Sequence, residues 1–291
     1  MAMRLSLIPV KKGYGASNIS YFYSVSIVLK PFLWIYSICA LILFITGMLC
    51  ALPFVVVFSL RPSVKGGNLI YKACFYWDWC WMTILGLHHV TLPGPEPDPR
   101  RQYVFVANHI SYLDIPLILR VIRHHAFRVL GKAEMKKVPI FGYIYSRAVV
   151  MVDRSNPDQR SKSARELINV LRQDISVFIF PEGTFNETHD PLKGFYDGAF
   201  RIAIETQTPV KPVLFLDTYE RMHYSSVFSL NPGKLRTVFL PEVSVEGLTI
   251  EDLPALRAKV FGMMEKGLKE NRASWIRTTA NKVHSSQARG E

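Results

Sequence analysis

Tyr103-Val104-Phe105-Val106-Ala107-Asn108-His109-Ile110-Ser111-Tyr112-Leu113-Asp114 is a short apolar run followed at once by polar and turn-forming residues. Residues 103–107 have the length and β-branched, aromatic content of a buried strand. Pro116 suits a first helical turn, and Asp114 just before it suits an N-cap position. The stretch therefore reads as strand, turn, helix, the opening of an α/β unit. His109 and Asp114 are five positions apart. On a continuous helix that spacing is a rotation of about 500°, which leaves the two side chains about 140° apart. They meet only if the chain between them is not helical. In that geometry the Asp114 carboxylate holds one ring nitrogen of His109 and leaves the other free as a general base. The alternative is that Asp114 only caps the helix and His109 is a polar loop residue.

The same alternation continues. Strands are expected at Phe127–Leu130, Val149–Val152, Val177–Phe180, Val213–Leu216 and Thr237–Leu240. Helices are expected at Ile115–His124, Lys162–Arg172, Gly198–Thr206 and Leu253–Asn271. The fold class is α/β, a mixed sheet flanked by helices and preceded by an N-terminal membrane helical segment. Residues 100–277 form the globular domain, set off by the proline-rich linker Pro93-Gly94-Pro95-Glu96-Pro97-Asp98-Pro99. The tail, 278–291, is polar, lacks apolar periodicity and reads as disordered.

Ahead of the domain, residues 31–60 contain no charge, with Lys30 and Arg61 closing the run. The run starts too late and is too long for a signal-peptide core. As a helix it exceeds the hydrocarbon thickness of about 30 Å, so it tilts, kinks or turns back, with Gly47 and Pro53 as the weak points. Basic residues flank it on both sides, so charge does not decide between a single span and a re-entrant hairpin. A single span is favoured because the run has no polar turn. Residues 61–99 then hold the linker and a second apolar stretch, Ala73–Leu92, with Tyr76, Trp77, Trp79 and Trp81. This reads as a helix lying in the membrane interface, or else as a core helix.

The net charge of +12 and the mean hydropathy of +0.14 suit an anionic membrane surface. The basic residues are scattered among apolar runs, which speaks against nucleic acid as a partner. Cys39, Cys50, Cys74 and Cys80 form no CxxC pair, and no metal site or cofactor is expected. A G-x-S-x-G nucleophile elbow, a P-loop and an H-E-x-x-H pair are all absent from the sequence.

Later motifs strengthen the His109 reading. Val177–Phe180 runs into Pro181-Glu182-Gly183-Thr184, whose glycine and following amides suit an anion. Lys193-Gly194 follows, then Gly198-Ala199-Phe200. The set Asn108-His109 with Asp114, then Phe180-Pro181-Glu182-Gly183-Thr184, resembles the glycerolipid acyltransferase family, whose best-known members are 1-acyl-sn-glycerol-3-phosphate (lysophosphatidate) acyltransferases. Pro139-Ile140-Phe141-Gly142 with Val152-Asp153-Arg154 looks like the family's second block, and Pro209-Val210 with Pro212-Val213 its fourth. The blocks appear in family order across 104–216.

The resemblance implies His109 as catalytic base and Asp114 as its partner. Asn108, Arg154, Glu182, Gly183, Thr184 and Lys193 then bind substrate, with Lys132 and Lys137 as weaker cations. It implies acyl-CoA or acyl carrier protein as donor, lysophosphatidate as acceptor, and a membrane enzyme with its active site on the cytoplasmic side. One position departs from the pattern. The family commonly has arginine after Pro-Glu-Gly-Thr, and this chain has Phe185, which removes one expected phosphate contact. Another lyso-lipid, such as a lyso-amino-acid lipid, is the alternative acceptor, and a membrane-bound lipid-binding protein is the non-enzyme alternative.

Overall fold

A computed structural model describes residues 16–60, 64–153 and 157–276. Residues 1–15 of the N-terminal segment, Arg154 and the 278–291 tail lie outside these. In chain order the elements are α1 (Ala16–Ser59), α2 (Val64–Ile84), β1 (Leu87–Thr91), β2 (Val104–Ala107), α3 (Asp114–Val121), β3 (Phe127–Lys132), α4 (Phe141–Ala148), β4 (Val149–Val152), α5 (Pro157–Leu171), β5 (Ser176–Ile179), α6 (Gly198–Thr206), β6 (Val210–Phe215), α7 (Thr218–Arg221), β7 (Gly233–Phe239) and α8 (Leu253–Glu270).

The seven strands form one sheet in the order β1-β7-β6-β2-β5-β3-β4. All neighbours are parallel except β6 and β7, which are antiparallel. The expected mixed sheet is therefore present. Every residue of β2, β5 and β6 is buried. This is why these strands read as unbroken apolar runs and not as alternating ones: helices cover both faces of a parallel sheet. One core layer joins α1, α2, α3 and α4 to one face through Phe105, Leu117, Phe178 and Phe215. The other joins α5, α6 and α8 through Val106, Leu167, Phe200 and Met264.

Two expectations are corrected, and one of two open alternatives is excluded. The apolar stretch 73–92 is not one helix. α2 begins earlier and stops at Ile84, Gly86 takes φ +64°, and Leu87–Thr91 become a strand paired with β7. Only glycine enters that left-handed turn without strain. The inner side of α2 is also core, with Ile70, Cys74, Trp81 and Met82 buried. Arg120 of α3 reaches the buried Asp78 of α2 at 2.9 Å. Second, the proline-rich stretch is no free linker. The buried Lys211 of β6 donates to the Pro95 carbonyl at 2.5 Å, and Leu92 N–H donates to Thr237 C=O at 2.7 Å. The sheet thus begins before the expected boundary at 100. Finally, α1 runs unbroken through Pro31 and Pro53, so it does not fold back as a hairpin. Pro53 lacks only its own N–H donor; lateral packing of α1 on α2, with Phe44 4.6 Å from Trp77, holds the path. Residues Pro31–Ser59 are long and apolar enough to be a candidate membrane span.

The topology places the site. β2 crosses to β3 through α3 on one face, and β5 crosses to β6 through α6 on the other. The two connections diverge above adjacent strands and leave a crevice at their C-terminal ends. His109 follows β2 there, and Glu182 follows β5.

Candidate active site

The turn after β2 is built around a single carboxylate oxygen. Oδ2 of Asp114 accepts hydrogen bonds from the Ile110 N–H at 2.7 Å, the Ser111 N–H at 2.8 Å and His109 Nδ1 at 2.9 Å. Asp114 is fully buried. Its position differs from the expected N-cap. Leu113 occupies the cap in helical conformation, without a side-chain cap bond, and Asp114 is the first residue of α3. The carboxylate is turned back into the preceding turn, where three donors converge, instead of forward to the helix amides. Ser111 locks the same turn, accepting from the Leu113 N–H at 3.1 Å and donating to the Met222 carbonyl at 2.6 Å.

The ionised carboxylate only accepts, so His109 carries its proton on Nδ1 and keeps a lone pair on Nε2. Among the described residues nothing hydrogen-bonds Nε2. The His109 side chain is 14% exposed, so the ring is mostly enclosed yet open at one edge.

The backbone of His109 is clamped from β5. Pro181 and Gly183, with φ +76°, turn the chain so that Glu182 points inward. Its Oε1 accepts the His109 N–H at 2.8 Å, and its Oε2 accepts the Lys193 N–H at 2.7 Å. The Asn186 N–H donates to the His109 carbonyl at 2.7 Å. Burial pushes the Glu182 carboxyl up to about 7, with the Asp114 charge adding to the rise and the two amide bonds opposing it. Asn108 is likewise turned inward. Its amide donates to the Phe215 carbonyl and accepts the Phe215 N–H, each at 2.9 Å, tying the end of β2 to β6. Asn108 and Glu182 are each 1% exposed, and each of their side-chain polar atoms is engaged in one of these bonds, so both hold the site together from beneath.

The outer rim carries Thr184, whose hydroxyl accepts from Lys193 Nζ at 2.8 Å; both residues are exposed. His109, Asp114, Asn108, Glu182, Gly183, Thr184 and Lys193 are thus brought together. Lys132, the last residue of β3, and Lys137, in the 3-10 turn that follows, are both exposed. Ser111 and Asn186 were missed from the sequence. Ser111 lies inside the first motif, but its partner Met222 is 111 residues away, and nothing local announces it. Asn186 could have been flagged as an Asx turn, since its side chain accepts from Thr188 two residues on.

A model of the acyltransferase family matches residues 89–216. The 1-acyl-sn-glycerol-3-phosphate acyltransferase alpha of Ovis aries is 31% identical over 179 residues, 61% of this chain and 59% of that one. The chloroplastic 1-acyl-sn-glycerol-3-phosphate acyltransferase BAT2 of Brassica napus is 30% identical over 205 residues, 69% of this chain and 56% of that one. Over residues 89–216 the chain is thus similar to acyltransferases. Its match spans about three fifths of the length of the sheep relative. Among solved structures, the 1-acyl-sn-glycerophosphate (LPA) acyltransferase PlsC from Thermotoga maritima superposes with a TM-score of 0.65 at 26% identity, covering 86% of this chain and 99% of that one. The acyltransferase match begins at residue 89, inside β1, in agreement with a sheet that starts ahead of the proline-rich stretch.

The Glu182 brace predicts a pH signature. The folded protein holds the Glu182 proton up to about pH 7, against an ordinary value of 4.5. The native state therefore binds more protons than the unfolded chain between those values. Stability contributed by this group falls as the pH rises through that window and is flat above it. Burial pushes the Asp78 carboxyl up to about 7 as well, so Glu182→Gln makes the slope shallower and does not abolish it; it also leaves one buried N–H facing an amide NH2, at a cost of about 1–3 kcal/mol. Thermal melts of both proteins from pH 4.5 to pH 8 check it; equal slopes in the two proteins assign the titration to other groups.

Proposed function

We propose that this acyltransferase moves a fatty acyl group from acyl-CoA or acyl carrier protein to the free hydroxyl of 1-acyl-sn-glycerol-3-phosphate, giving phosphatidate. One observation carries the reading: an imidazole fixed by a buried carboxylate at Nδ1, with Nε2 open at the C-terminal edge of a parallel sheet. The names of the relatives supply the substrate class.

In this reading His109 Nε2 takes the proton from the acceptor hydroxyl. The oxygen attacks the thioester carbonyl, the tetrahedral intermediate collapses, and the C–S bond breaks. The departing thiolate recovers the proton from His109. Asp114 stabilises the imidazolium that exists between the two transfers. No acyl-enzyme forms, so no nucleophilic serine or cysteine is needed. Lys193 and Thr184 offer a cation and a hydroxyl to the acceptor phosphate, with Gly183 letting the chain approach closely. Arg154 is a second phosphate ligand proposed from its motif. Asn108 and Glu182 act as positioning residues.

We place this chemistry at a membrane surface. One side of α1 is buried on the protein through Ala40, Met48, Ala51 and Val55, while Ile35, Ile38, Ile42, Ile45 and Leu49 are exposed on the other. Contacts with the globular layer occur toward both ends of that stretch, Ser37 to the Leu230 carbonyl at 3.3 Å and Ser59 to the Tyr143 hydroxyl at 3.0 Å. A helix held so over roughly 33 Å favours lying along the lipid with its apolar face immersed over crossing it. The donor's charged carrier does not cross lipid, so the site faces the cytoplasmic side, where the donor is made.

Two tests follow. His109→Ala lowers phosphatidate formation from acyl-CoA and lysophosphatidate by about 10²–10⁴-fold, with lysophosphatidate binding kept; wild-type rates in the variant would sink the base assignment. Replacing Ile38, Ile42 and Ile45 together with serine shifts the protein from vesicle-bound to free in flotation assays; unchanged flotation refutes the apolar face as the anchor.

A further inference from the structure

The residue at which the chain departs from the second motif lies against the proposed base. The Phe185 ring centroid is 4.4 Å from that of His109, the planes inclined by 61°. It is also 4.8 Å from the Tyr112 ring, at 80°. The His109 ring lies flat on Phe180, 4.0 Å away and inclined by 14°. The imidazole is thus held by Asp114 at one nitrogen, by one aromatic ring on its face and by a second at another side. Phe185 is not a loose surface ring. Its neighbours in sequence are fixed, Asn186 by its N–H on the His109 carbonyl at 2.7 Å and by its side chain, which donates to the Asp190 carbonyl and accepts from Thr188. Phe185 itself is half-buried, and Tyr112, which covers it, is 46% exposed. Phe185 thus touches both the His109 ring and the more exposed Tyr112 ring.

This matters because a thioester is open to two oxygen nucleophiles. In transfer, the lipid O–H gives its proton to Nε2, the new C–O bond forms to the lipid oxygen, and the thiolate leaves and takes the proton. In hydrolysis, water supplies the O–H by the same route, and the products are the free fatty acid and the thiol. A base that meets bulk water wastes the donor. Closed sites suppress such side reactions by keeping water out, and an apolar ring beside the base does so without offering it a competing hydrogen bond.

We propose that Phe185, backed by Tyr112 and opposed by Phe180, is a positioning residue that fixes the His109 ring and keeps water from its open nitrogen, so that the acyl group goes to the lipid hydroxyl and not to water. The inference rests on His109 being the base.

The experiment measures thiol release and phosphatidate formation in the same sample, with the full chain in mixed micelles of lysophosphatidate and detergent and acyl-CoA as donor. Hydrolysis is the thiol released beyond the phosphatidate formed. In Phe185→Ala phosphatidate formation falls about tenfold, a change of about 1.4 kcal/mol, while hydrolysis per transfer rises by at least as much. KM for either substrate changes little. Phe185→Tyr, which keeps the ring, restores the wild-type ratio. Phe185→Asn, a polar side chain at the same place, raises the ratio as alanine does and serves if the alanine variant does not fold. Equal losses of transfer and hydrolysis in the substituted proteins, or an unchanged ratio, overturn the inference. The double variant with His109→Ala separates the two claims. If it loses the added hydrolysis, His109 is the base for both reactions. If that hydrolysis persists, the base reading fails, whatever Phe185 does.

Discussion

A buried oxygen of Asp114 takes three hydrogen bonds, and the site is organised around it. Two come from the backbone of the turn after β2 and one from the imidazole. Bonds to an ionised acceptor contribute about 1.5–3 kcal/mol each, more than neutral ones. Together they stabilise the fully buried carboxylate, whose other oxygen, Oδ1, has no hydrogen-bond partner among the described residues. The same bonds do three things at once. They close the turn at residues 109–111, start α3 at Asp114, and set the imidazole tautomer. A change at this carboxylate is therefore felt in the turn and in the chemistry together.

The fold supplies the counterpart to this bond. β2 and β5 are adjacent and parallel, so their C-terminal ends bring two carboxylates, far apart in sequence, to the two sides of one histidine. Asp114 holds the ring and Glu182 holds the backbone N–H. The first decides which nitrogen is free, the second where the ring is anchored. Phe180, the residue that ends the β5 segment, lies flat on the ring, so the strand contributes both a clamp and a platform. The helices α1 and α2 cover one face of the sheet and leave the exposed apolar side of α1 outward.

Much of this is legible in the residues. β2 and β5 are buried on both faces and so are written as unbroken apolar runs. The five-residue spacing of His109 and Asp114 excludes a shared helix face, which alone requires a turn between them. The helices α6 and α8 carry apolar periodicity along their length, as does the second half of α5. β1 was hidden because Leu87-His88-His89-Val90-Thr91 continues the apolar character of α2, with only Gly86 marking the break. The two histidines there are strand residues, and His89 Nε2 bonds the Thr237 hydroxyl on β7 at 2.8 Å. Glu182 was expected to bind substrate from the family resemblance, and its burial is not legible in the local sequence. Its partners, the amides of His109 and Lys193, come from elsewhere in the chain and from the loop's return, and no local pattern encodes them. Phe185 is the same case: as a letter it is a lost cation, and in space it is a wall of the site.

The central claim is that Asp114 presents His109 as a neutral imidazole protonated on Nδ1, with Nε2 free. Nitrogen-15 NMR of the histidine-labelled protein in micelles, with His109 assigned by its loss in His109→Ala, reads this directly. Near pH 8 the account predicts a protonated-nitrogen shift at Nδ1 and an unprotonated one at Nε2, with Asp114→Asn disturbing that pattern. A proton on Nε2 in the wild-type protein, or a pattern unmoved by Asp114→Asn, would contradict it.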